Sequence, residues 1–315
     1  MDNNVNIILN NGLGDKFLDL IGFYVICKYL NYNPNITFNN SSNFAWGNNN
    51  YDLKLFNLKD ISVTNNNNCN FYINSPNPSS SLCPYKVYIF LKKFFPELSF
   101  VQVSGDFILY AKDIIKPSEI IESKIPNDIE KAYGIHLRKS DKVSNKVDIR
   151  HENLINEFFI ITNKLLDDVA SIIINEREPS FLIVSEDVNW KKEITDIIHS
   201  IGIKNNKQIK ILNIDYTNEN NYNNYNSVLD MFCLSKCKEI LQGVKYSTFS
   251  ILASLLGNGK LRNYANHINT NNICLIHTWG SVIEINNKKN MDIESHKKVT
   301  NTISNLITNI EKIYE

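Results

Sequence analysis

The residues best suited to binding an anion follow one apolar segment, residues 132–137, whose composition predicts a β-strand. Immediately after it come four charged side chains, those of Arg138, Lys139, Asp141 and Lys142. Charged groups are seldom buried without a partner, so a strand that ends in such a cluster is rarely built for packing alone. An arginine guanidinium binds phosphate oxygens through two parallel hydrogen bonds, and lysines add point charges. The pattern predicts a phosphate site at Arg138; the alternative is a solvated strand end with a salt bridge to Asp141.

A second apolar strand, residues 181–184, also ends in charge, with Glu186 and Asp187 close behind it. Strand, turn and helix patterns follow one another along the chain, which predicts an α/β fold. Ligands of open α/β sheets bind in the crevice at the carboxyl ends of the strands, where both charged clusters would lie. A helix cap at Ser185 is an alternative interpretation of the second cluster, and it is compatible with ligand binding.

A glycine turn near the start of the chain separates a predicted strand, residues 5–9, from an apolar-rich helix that runs from Lys16 to about Leu30. The turn consists of Gly12, Leu13, Gly14 and Asp15. Glycines allow the backbone to approach a ligand closely, and the amino terminus of a helix attracts anions. A tight turn without a ligand is the more frequent explanation of so short a motif.

Hydroxyl groups gather at the start of another predicted helix, residues 251–256, which ends at Gly257. The segment leading into it contains Ser247, Thr248, Phe249 and Ser250. Hydroxyls at a helix start are first of all caps. Together with the unpaired backbone N–H groups of a first helical turn, they are also suited to cradling a diphosphate.

The patterns are weaker between residues 31 and 128. Apolar runs predict strands at residues 36–38, 71–73, 100–103 and 107–110. A helix is predicted at residues 85–95, where Pro96 ends it, and a helix or linker at residues 116–125. A final amphipathic helix is predicted near the carboxyl end of the chain.

Composition limits the classes of partner. The chain has 33 basic and 33 acidic residues, so no overall field favours nucleic acid or an anionic membrane. Its six cysteines form no C-x-x-C pair, which is typical of reduced structural thiols. No signal peptide or apolar run of membrane-spanning length is visible. These features predict a soluble, cytoplasmic protein without stable membrane insertion, and the asparagine-rich runs suggest an AT-rich genome, such as that of a virus or parasite.

Several of these motifs resemble the fucosyltransferase superfamily. The run His-Leu-Arg-Lys-Ser-Asp-Lys-Val that starts at His136 resembles the His-x-Arg-Arg-Thr-Asp-Lys-Val signature of α-1,6-fucosyltransferases. Its His-x-Arg element is shared with α-1,2- and protein O-fucosyltransferases. The acidic strand end at Glu186 and the helix containing Asp230, followed by Thr-Phe-Ser, resemble family segments in the same order. The glycine turn is similar to the one that opens α-1,2-fucosyltransferases.

The resemblance implies a GT-B glycosyltransferase, in which two Rossmann-like domains face a cleft. Residues 1–127 would form the acceptor-side domain, residues 128–290 the nucleotide-sugar domain, and residues 291–315 a helix that packs back on the first domain. Arg138 would bind the β-phosphate of GDP-fucose, and Asp230 would accept guanine N–H groups. The glycine turn would line the cleft. The other implied donor-binding residues are His136, Lys139, Lys142, Glu186, Asp187, Ser247, Thr248, Phe249 and Ser250.

The implied reaction is an inverting transfer of L-fucose from GDP-fucose to a glycan or other hydroxyl acceptor. A basic cleft can neutralise the leaving diphosphate, so neither a metal site nor a cofactor beyond the donor is expected. Inversion requires a base. The α-1,6 enzymes place a glutamate where this chain has Lys146. Asp148 and Asp141 are therefore the candidate bases, and Arg138, through the leaving phosphate, is the third catalytic residue that the resemblance implies.

Two other functions remain open at this point. One is a transferase of the same fold with another nucleotide-sugar donor, such as a rhamnose or heptose donor. The other is a catalytically inactive nucleotide- or sugar-binding protein, which the missing glutamate would permit. The sequence does not indicate the acceptor or the oligomeric state.

Overall fold

The computed structural model describes residues 4–9, 12–38, 53–63, 82–138, 150–216, 224–244, 247–257, 260–264, 268–270, 273–278 and 281–286. The predicted strand at residues 71–73, the charged segment at residues 139–149 and the carboxyl-terminal helix at residues 291–315 lie outside these residues. Over the described residues the chain is a mixed α/β structure with a mostly parallel main sheet, which confirms the α/β part of the predicted fold.

A small parallel sheet and one long helix open the chain. The sheet has the order β1-β2-β4, formed by β1 (Asn4–Leu9), β2 (Asn33–Phe38) and β4 (Ser62–Val63). Helix α1 (Leu13–Leu30) joins β1 to β2 and is buried along most of its length. It ends at Asn31, whose left-handed backbone lets the chain turn back into β2. The predicted strand and helix are confirmed, but the helix starts three residues earlier than predicted, so Leu13, Gly14 and Asp15 form its first turn and Gly12 precedes it.

The predicted strands at residues 100–103 and 107–110 are wrong, because both segments belong to one helix, α3 (Phe100–Ile114). Ser99 caps its start, accepting the Gln102 N–H at 3.2 Å. Aromatic and β-branched residues favour strands locally, but here they recur three and four positions apart and form one buried stripe. The stripe consists of Val103, Phe107, Ala111 and Ile114.

Short elements complete this half of the chain. Strand β3 (Phe56–Leu58) pairs antiparallel with β5 (Ile115–Pro117). The predicted helix at residues 85–95 is confirmed as α2 (Pro84–Lys92). The segment at residues 116–125 contains the end of β5 and the single turn α4 (Glu119–Glu122).

The main sheet has six strands in the order β11-β10-β9-β6-β7-β8, and its described pairings are parallel except for that of β10 with β11. The strands are β6 (Tyr133–Leu137), β7 (Ser180–Ser185), β8 (Lys210–Leu212), β9 (Glu239–Gln242), β10 (Leu261–Asn263) and β11 (Ile268–Thr270). The helices are α5 (Arg150–Asn175), α6 (Val188–Lys204), α7 (Asn224–Lys236) and α8 (Thr248–Leu256). A hairpin of β12 (Ile273–Thr278) and β13 (Ser281–Asn286) follows. Neither β10, β11 nor this hairpin was predicted.

Strand β6 lies in the middle of this sheet, between β9 and β7. All five of its residues are buried, because helices cover both faces of the sheet. One apolar cluster fills the space between the sheet and α5 and α6. A second extends from α1 to α7 and α8, and its rings include Phe17, Phe56 and Phe232. This continuous core brings the start of the chain against α8.

Candidate functional site

The end of β6 and the start of α8 meet through a buried hydrogen bond. His136 Nδ1 and Ser250 Oγ lie 2.5 Å apart, and both side chains are buried. The His136 ring also packs against Phe249, with ring centroids 5.1 Å apart. The pairing of β6 with β9 continues to the Gly243 N–H, which donates to the His136 carbonyl at 2.9 Å. The sequence motifs at His136 and at Phe249–Ser250 therefore form one site.

His136 is a neutral group in this site. Burial lowers its pKa to about 3, and the positive charge of Arg138 contributes in the same direction. A neutral imidazole has one donor and one acceptor nitrogen, so it can hold the Ser250 hydroxyl and still offer its second nitrogen. The histidine is suited to positioning neighbours rather than to supplying positive charge.

Arg138 follows β6 directly and is half-buried. Its Nε lies 3.9 Å from Oε1 of Glu186, which follows the neighbouring strand β7. This separation is too long for a hydrogen bond, so the contact is an ion pair of modest strength. The arginine lies at the carboxyl edge of the sheet, as its sequence position predicts.

The acidic segment after β7 is used partly for capping. Asp187 is the residue that caps α6, and its Oδ1 accepts the Trp190 N–H at 2.9 Å. Ser185 accepts the Asp187 N–H at 3.1 Å. The interpretation of this segment as a cap is therefore confirmed, with Asp187 rather than Ser185 as the capping side chain.

The start of α8 combines backbone donors with a buried hydroxyl. Ser247 is at the capping position but makes no side-chain cap bond, and its Oγ has no hydrogen-bond partner within the described residues. Ser247 is also 2% exposed. A buried hydroxyl without a partner costs free energy, and first-turn N–H groups need partners too. This helix start is therefore suited to receiving an anion.

The glycine turn lies directly against this helix start. A β-carbon on Gly14 would lie 2.6 Å from the backbone nitrogen of Phe249 and 2.7 Å from Thr248 Oγ1. Only glycine allows the two segments to approach so closely. A β-carbon on Gly12, by contrast, would have nothing within 4 Å. The amino termini of α1 and α8 are thus neighbours, which concentrates their partial positive charges.

Asp230 lies in the middle of α7 and is 0% exposed. Its Oδ1 accepts a hydrogen bond of 2.6 Å from the hydroxyl of Tyr216, which follows β8. Lys191, in the first turn of α6, attracts it electrostatically, and its ammonium lies 5.5 Å from the centre of the Tyr216 ring. The carboxylate therefore has two partners that its sequence motif did not reveal.

Other titratable groups near the glycine turn were also missed. Lys16 is 1% exposed, and burial lowers its pKa. Asp19 accepts the Leu82 N–H at 2.5 Å, and burial raises the pKa of its carboxyl to about 7. Burial likewise lowers the pKa of Lys86, which interacts with Asp19. A charged residue inside an apolar helix such as α1 is the only sequence signal that could have found them.

Four predicted site residues fall outside the described residues: Lys139, Asp141, Lys142 and Asp148. Within the described part of the chain, no group of three or more His, Cys, Asp and Glu side chains is placed to hold a metal ion. None of the described helices is long and apolar enough to cross a membrane.

The fold is similar to that of NodZ, an α-1,6-fucosyltransferase. A NodZ structure soaked with GDP-fucose has a TM-score of 0.50 and 12% identity, over 91% of this chain and 100% of that chain. A second NodZ structure, co-crystallised with GDP, has a TM-score of 0.51 and 13% identity, over 91% of this chain and 99% of that chain. A structure of NodZ from Bradyrhizobium has a TM-score of 0.50 and 10% identity, over 86% of this chain and 99% of that chain. No protein-family model and no curated protein matches the sequence. The predicted resemblance is thus confirmed in the fold, and the chain has the α/β architecture of the NodZ fucosyltransferases.

Proposed function

We propose that the protein is a GT-B glycosyltransferase that transfers L-fucose from GDP-fucose to a hydroxyl acceptor with inversion and without a metal. The observation that carries the proposal is the meeting of separate motifs at one edge of the sheet. His136, the hydroxyl-rich start of α8 and the glycine turn are in direct contact. NodZ, which has this fold, was co-crystallised with GDP and soaked with GDP-fucose.

In this proposal the diphosphate lies at the start of α8. The Ser247 hydroxyl and the first-turn N–H groups of α8 would bind phosphate oxygens, and Arg138 would add its guanidinium. Lys139 and Lys142, which follow Arg138 in the sequence, would supply further positive charge. Asp230 would accept the guanine N1–H and N2–H groups. Glu186 would orient Arg138 through the ion pair between them.

The domain arrangement is part of the same proposal. Residues 1–127 would hold the acceptor, residues 128–290 would hold the nucleotide sugar, and residues 291–315 would form a helix that crosses back to the first domain. The glycine turn, residues 12–15, would then belong to the acceptor side of the cleft. Its contact with Thr248 and Phe249 agrees with such an arrangement.

The transfer itself needs one bond to form as another breaks. The acceptor oxygen would attack the anomeric carbon of fucose from the face opposite the diphosphate, and GDP would leave with the bonding electron pair. Arg138 and the start of α8 would stabilise the charge that develops on the leaving phosphate. A carboxylate would take the acceptor proton, and we assign this role to Asp148, with Asp141 as the alternative.

Nucleotide specificity tests the proposal. We expect GDP to raise the melting temperature more than UDP or dTDP, and GDP-fucose to be hydrolysed slowly without an acceptor. Arg138→Ala should weaken GDP binding by about 1.5–3 kcal/mol while the fold stays intact. Equal protection by UDP or dTDP would favour another sugar donor. GDP binding without hydrolysis or transfer would favour the inactive binding protein.

The base is tested by a pair of variants. Asp148→Asn should reduce transfer by at least ~10²-fold while GDP affinity stays near the wild-type value, since a base acts only in the transition state. Asp141→Asn is the matched comparison and should affect GDP binding more than transfer. Should neither variant lose transfer, the base lies elsewhere, and Asp19, with its pKa raised to about 7, is the next residue to replace.

A further inference from the structure

A surface cavity of about 420 Å³ lies between the segment that precedes the main sheet and the ends of two helices. Strand β5 and the turn α4 form one side of it, and the carboxyl ends of α7 and α8 form the other. The volume falls within the range of about 300–1,000 Å³ that small-molecule sites occupy. The proposed phosphate site lies at the opposite end of α8, so the cavity is not part of it.

Apolar side chains form one part of the lining. Ile115 of β5 and Phe232 of α7 are 2% and 0% exposed, so they belong to the core and hold this part of the lining in place. Pro117 of β5 and Leu256 of α8 are only partly buried. An apolar group placed against these two residues would be removed from water together with them, which favours binding.

The rest of the lining carries an excess of positive charge. Glu122 of α4 and Lys236 of α7 form an ion pair of 3.4 Å that joins the two sides of the cavity. The other charged lining residues are Lys112, Lys116 and Glu119, all of them exposed. Within the described part of the chain, neither of these two lysines forms an ion pair or a side-chain hydrogen bond. Two ammonium groups and one carboxylate therefore remain for a ligand.

Helix stabilisation explains only part of this charge. Lys112 and Lys236 lie in the last turns of α3 and α7, where a lysine compensates the partial negative charge of the helix carbonyls. Lys116 has no such role, because it lies beyond the helix, in β5. It pairs directly opposite Asn57 of β3, which also lines the cavity. Directly opposite residues share one face of an antiparallel pair, so an ammonium and an amide lie side by side there.

We propose that this cavity is a second ligand site, which binds a small amphipathic anion. A phosphate, sulfonate or carboxylate group would lie at Lys112 and Lys116. The apolar body of the same molecule would lie against Pro117 and Leu256. Because the lining comes from both sides, a bound molecule ties the segment before the main sheet to the ends of α7 and α8.

The site is tested with two fluorescent probes of the same shape. Anilinonaphthalene sulfonate carries the anionic group and an aromatic body, and phenylnaphthylamine has the aromatic body alone. We expect wild-type protein to bind the sulfonate saturably and more tightly than the neutral probe. Lys116→Met should bind the sulfonate about tenfold more weakly, the scale of one hydrogen bond to a charged group, and Lys112→Met should act in the same direction. Neither variant should change the affinity for the neutral probe.

Lys204→Met is the matched control. Lys204 is also exposed, lies in the last turn of α6 and forms no ion pair within the described residues, but it does not line the cavity. This variant should bind both probes as wild-type protein does. Urea denaturation checks that each variant is folded.

A blocking variant tests the apolar part of the site. Asn57→Trp places a large ring in the cavity from an exposed position of β3, so we expect it to weaken binding of both probes. If Asn57→Trp does not fold, the lysine variants decide the question, because exposed lysines without partners contribute little to stability.

Several results would overturn the inference. One is binding of the sulfonate without saturation, and another is equal affinity of Lys112→Met, Lys116→Met and the Lys204→Met control. Equal loss of both probes in Lys116→Met would contradict the role of its charge. Unchanged binding in a folded Asn57→Trp would place the probes elsewhere. GDP binding and sugar transfer do not enter these measurements, so the proposed function stands or falls separately.

Discussion

Charged residues lie at both the amino end and the carboxyl end of the strands in the six-stranded sheet. The charges at these two ends have different partners and different exposure to water. At the amino end, Arg262 donates to both carboxylate oxygens of Glu239, at 2.8 and 3.1 Å, and to Asp168 at 2.7 Å. Tyr264 also donates to Asp168, at 2.9 Å. Both Glu239 oxygens and Oδ2 of Asp168 accept hydrogen bonds from the protein, so the network is suited to stabilising the fold.

Two clusters of a tyrosine, a carboxylate and a lysine show the same contrast. One, at the amino end, consists of Tyr133, Glu176 and Lys238, and the other, at the carboxyl end, consists of Tyr216, Asp230 and Lys191. At the amino end, the Glu176 and Lys238 side chains are 30% and 42% exposed. At the carboxyl end, the equivalent carboxylate, that of Asp230, is 0% exposed. Water screens the first cluster, whereas the second lies in a medium where each hydrogen bond has more effect. Under the proposed function, similar residues would serve stability at one end and recognition at the other.

Buried polar groups distinguish the carboxyl end further. His136 is held neutral there, and the Ser247 hydroxyl has no partner within the described residues. Such groups cost stability unless a ligand satisfies them. The comparison indicates that substitutions at the amino end should change stability alone, whereas those at the carboxyl end should change stability and nucleotide binding together.

The largest effect is expected from Arg262→Ala, which leaves Glu239 and Asp168 without their shared guanidinium. We expect a loss of about 3 kcal/mol in the free energy of unfolding, measured by urea denaturation. GDP affinity in the folded variant should stay within about twofold of wild type. Arg177→Ala, at an exposed arginine, is the control and should change neither quantity. A large loss of GDP affinity in Arg262→Ala would break the distinction between the two ends.

A somewhat smaller effect is expected from Gly14→Ala. The new methyl group would overlap the backbone of Thr248 and Phe249, so α1 and α8 must move apart. Overpacking of this kind costs about 2 kcal/mol and should also weaken GDP binding, because the start of α8 shifts. Gly12→Ala is the matched control, since its methyl group meets no neighbouring atoms. Equal behaviour of the two variants in denaturation and calorimetry would contradict the observed contact.

The smallest effect at neutral pH is expected from His136→Gln. Burial lowers the pKa of His136 to about 3, against about 6.5 in an unfolded chain. Below pH 6.5 the unfolded state binds a proton that the folded state does not, so stability falls as the pH decreases towards 3. At pH 5 the loss is about 2 kcal/mol.

The variant should lack this part of the pH dependence, which urea denaturation at pH 7 and pH 5 would measure. His199→Gln, at an exposed position of α6, is the control and should retain the wild-type slope. If His136→Gln also retains that slope, the histidine is protonated in the folded protein and its site is more open than the structure indicates.

Local patterns in the sequence were sufficient for most of the elements that surround the site. Strand β6 was predicted within one residue of its observed bounds, and α1 and α8 start three residues before their predicted positions. These predictions depend on apolar periodicity and on residues next to a helix start, and both are properties of neighbouring residues. The positions of Arg138 and Ser247 at the sheet edge follow from the same patterns, because polar residues that end a parallel strand must lie there.

Other features depended on contacts between distant segments. The residues of α3 resemble strands when taken a few at a time, and burial of one stripe against α1 and α2 made them a helix. The contact of Gly14 with Thr248, the bond from Tyr216 to Asp230 and the lowered pKa of His136 have no local signal. Amino-acid order determined which segments could carry the chemistry, because propensity and periodicity act over a few residues. Only the tertiary structure decided which groups meet and how far they are removed from water, because burial and pairing depend on every segment packed around them.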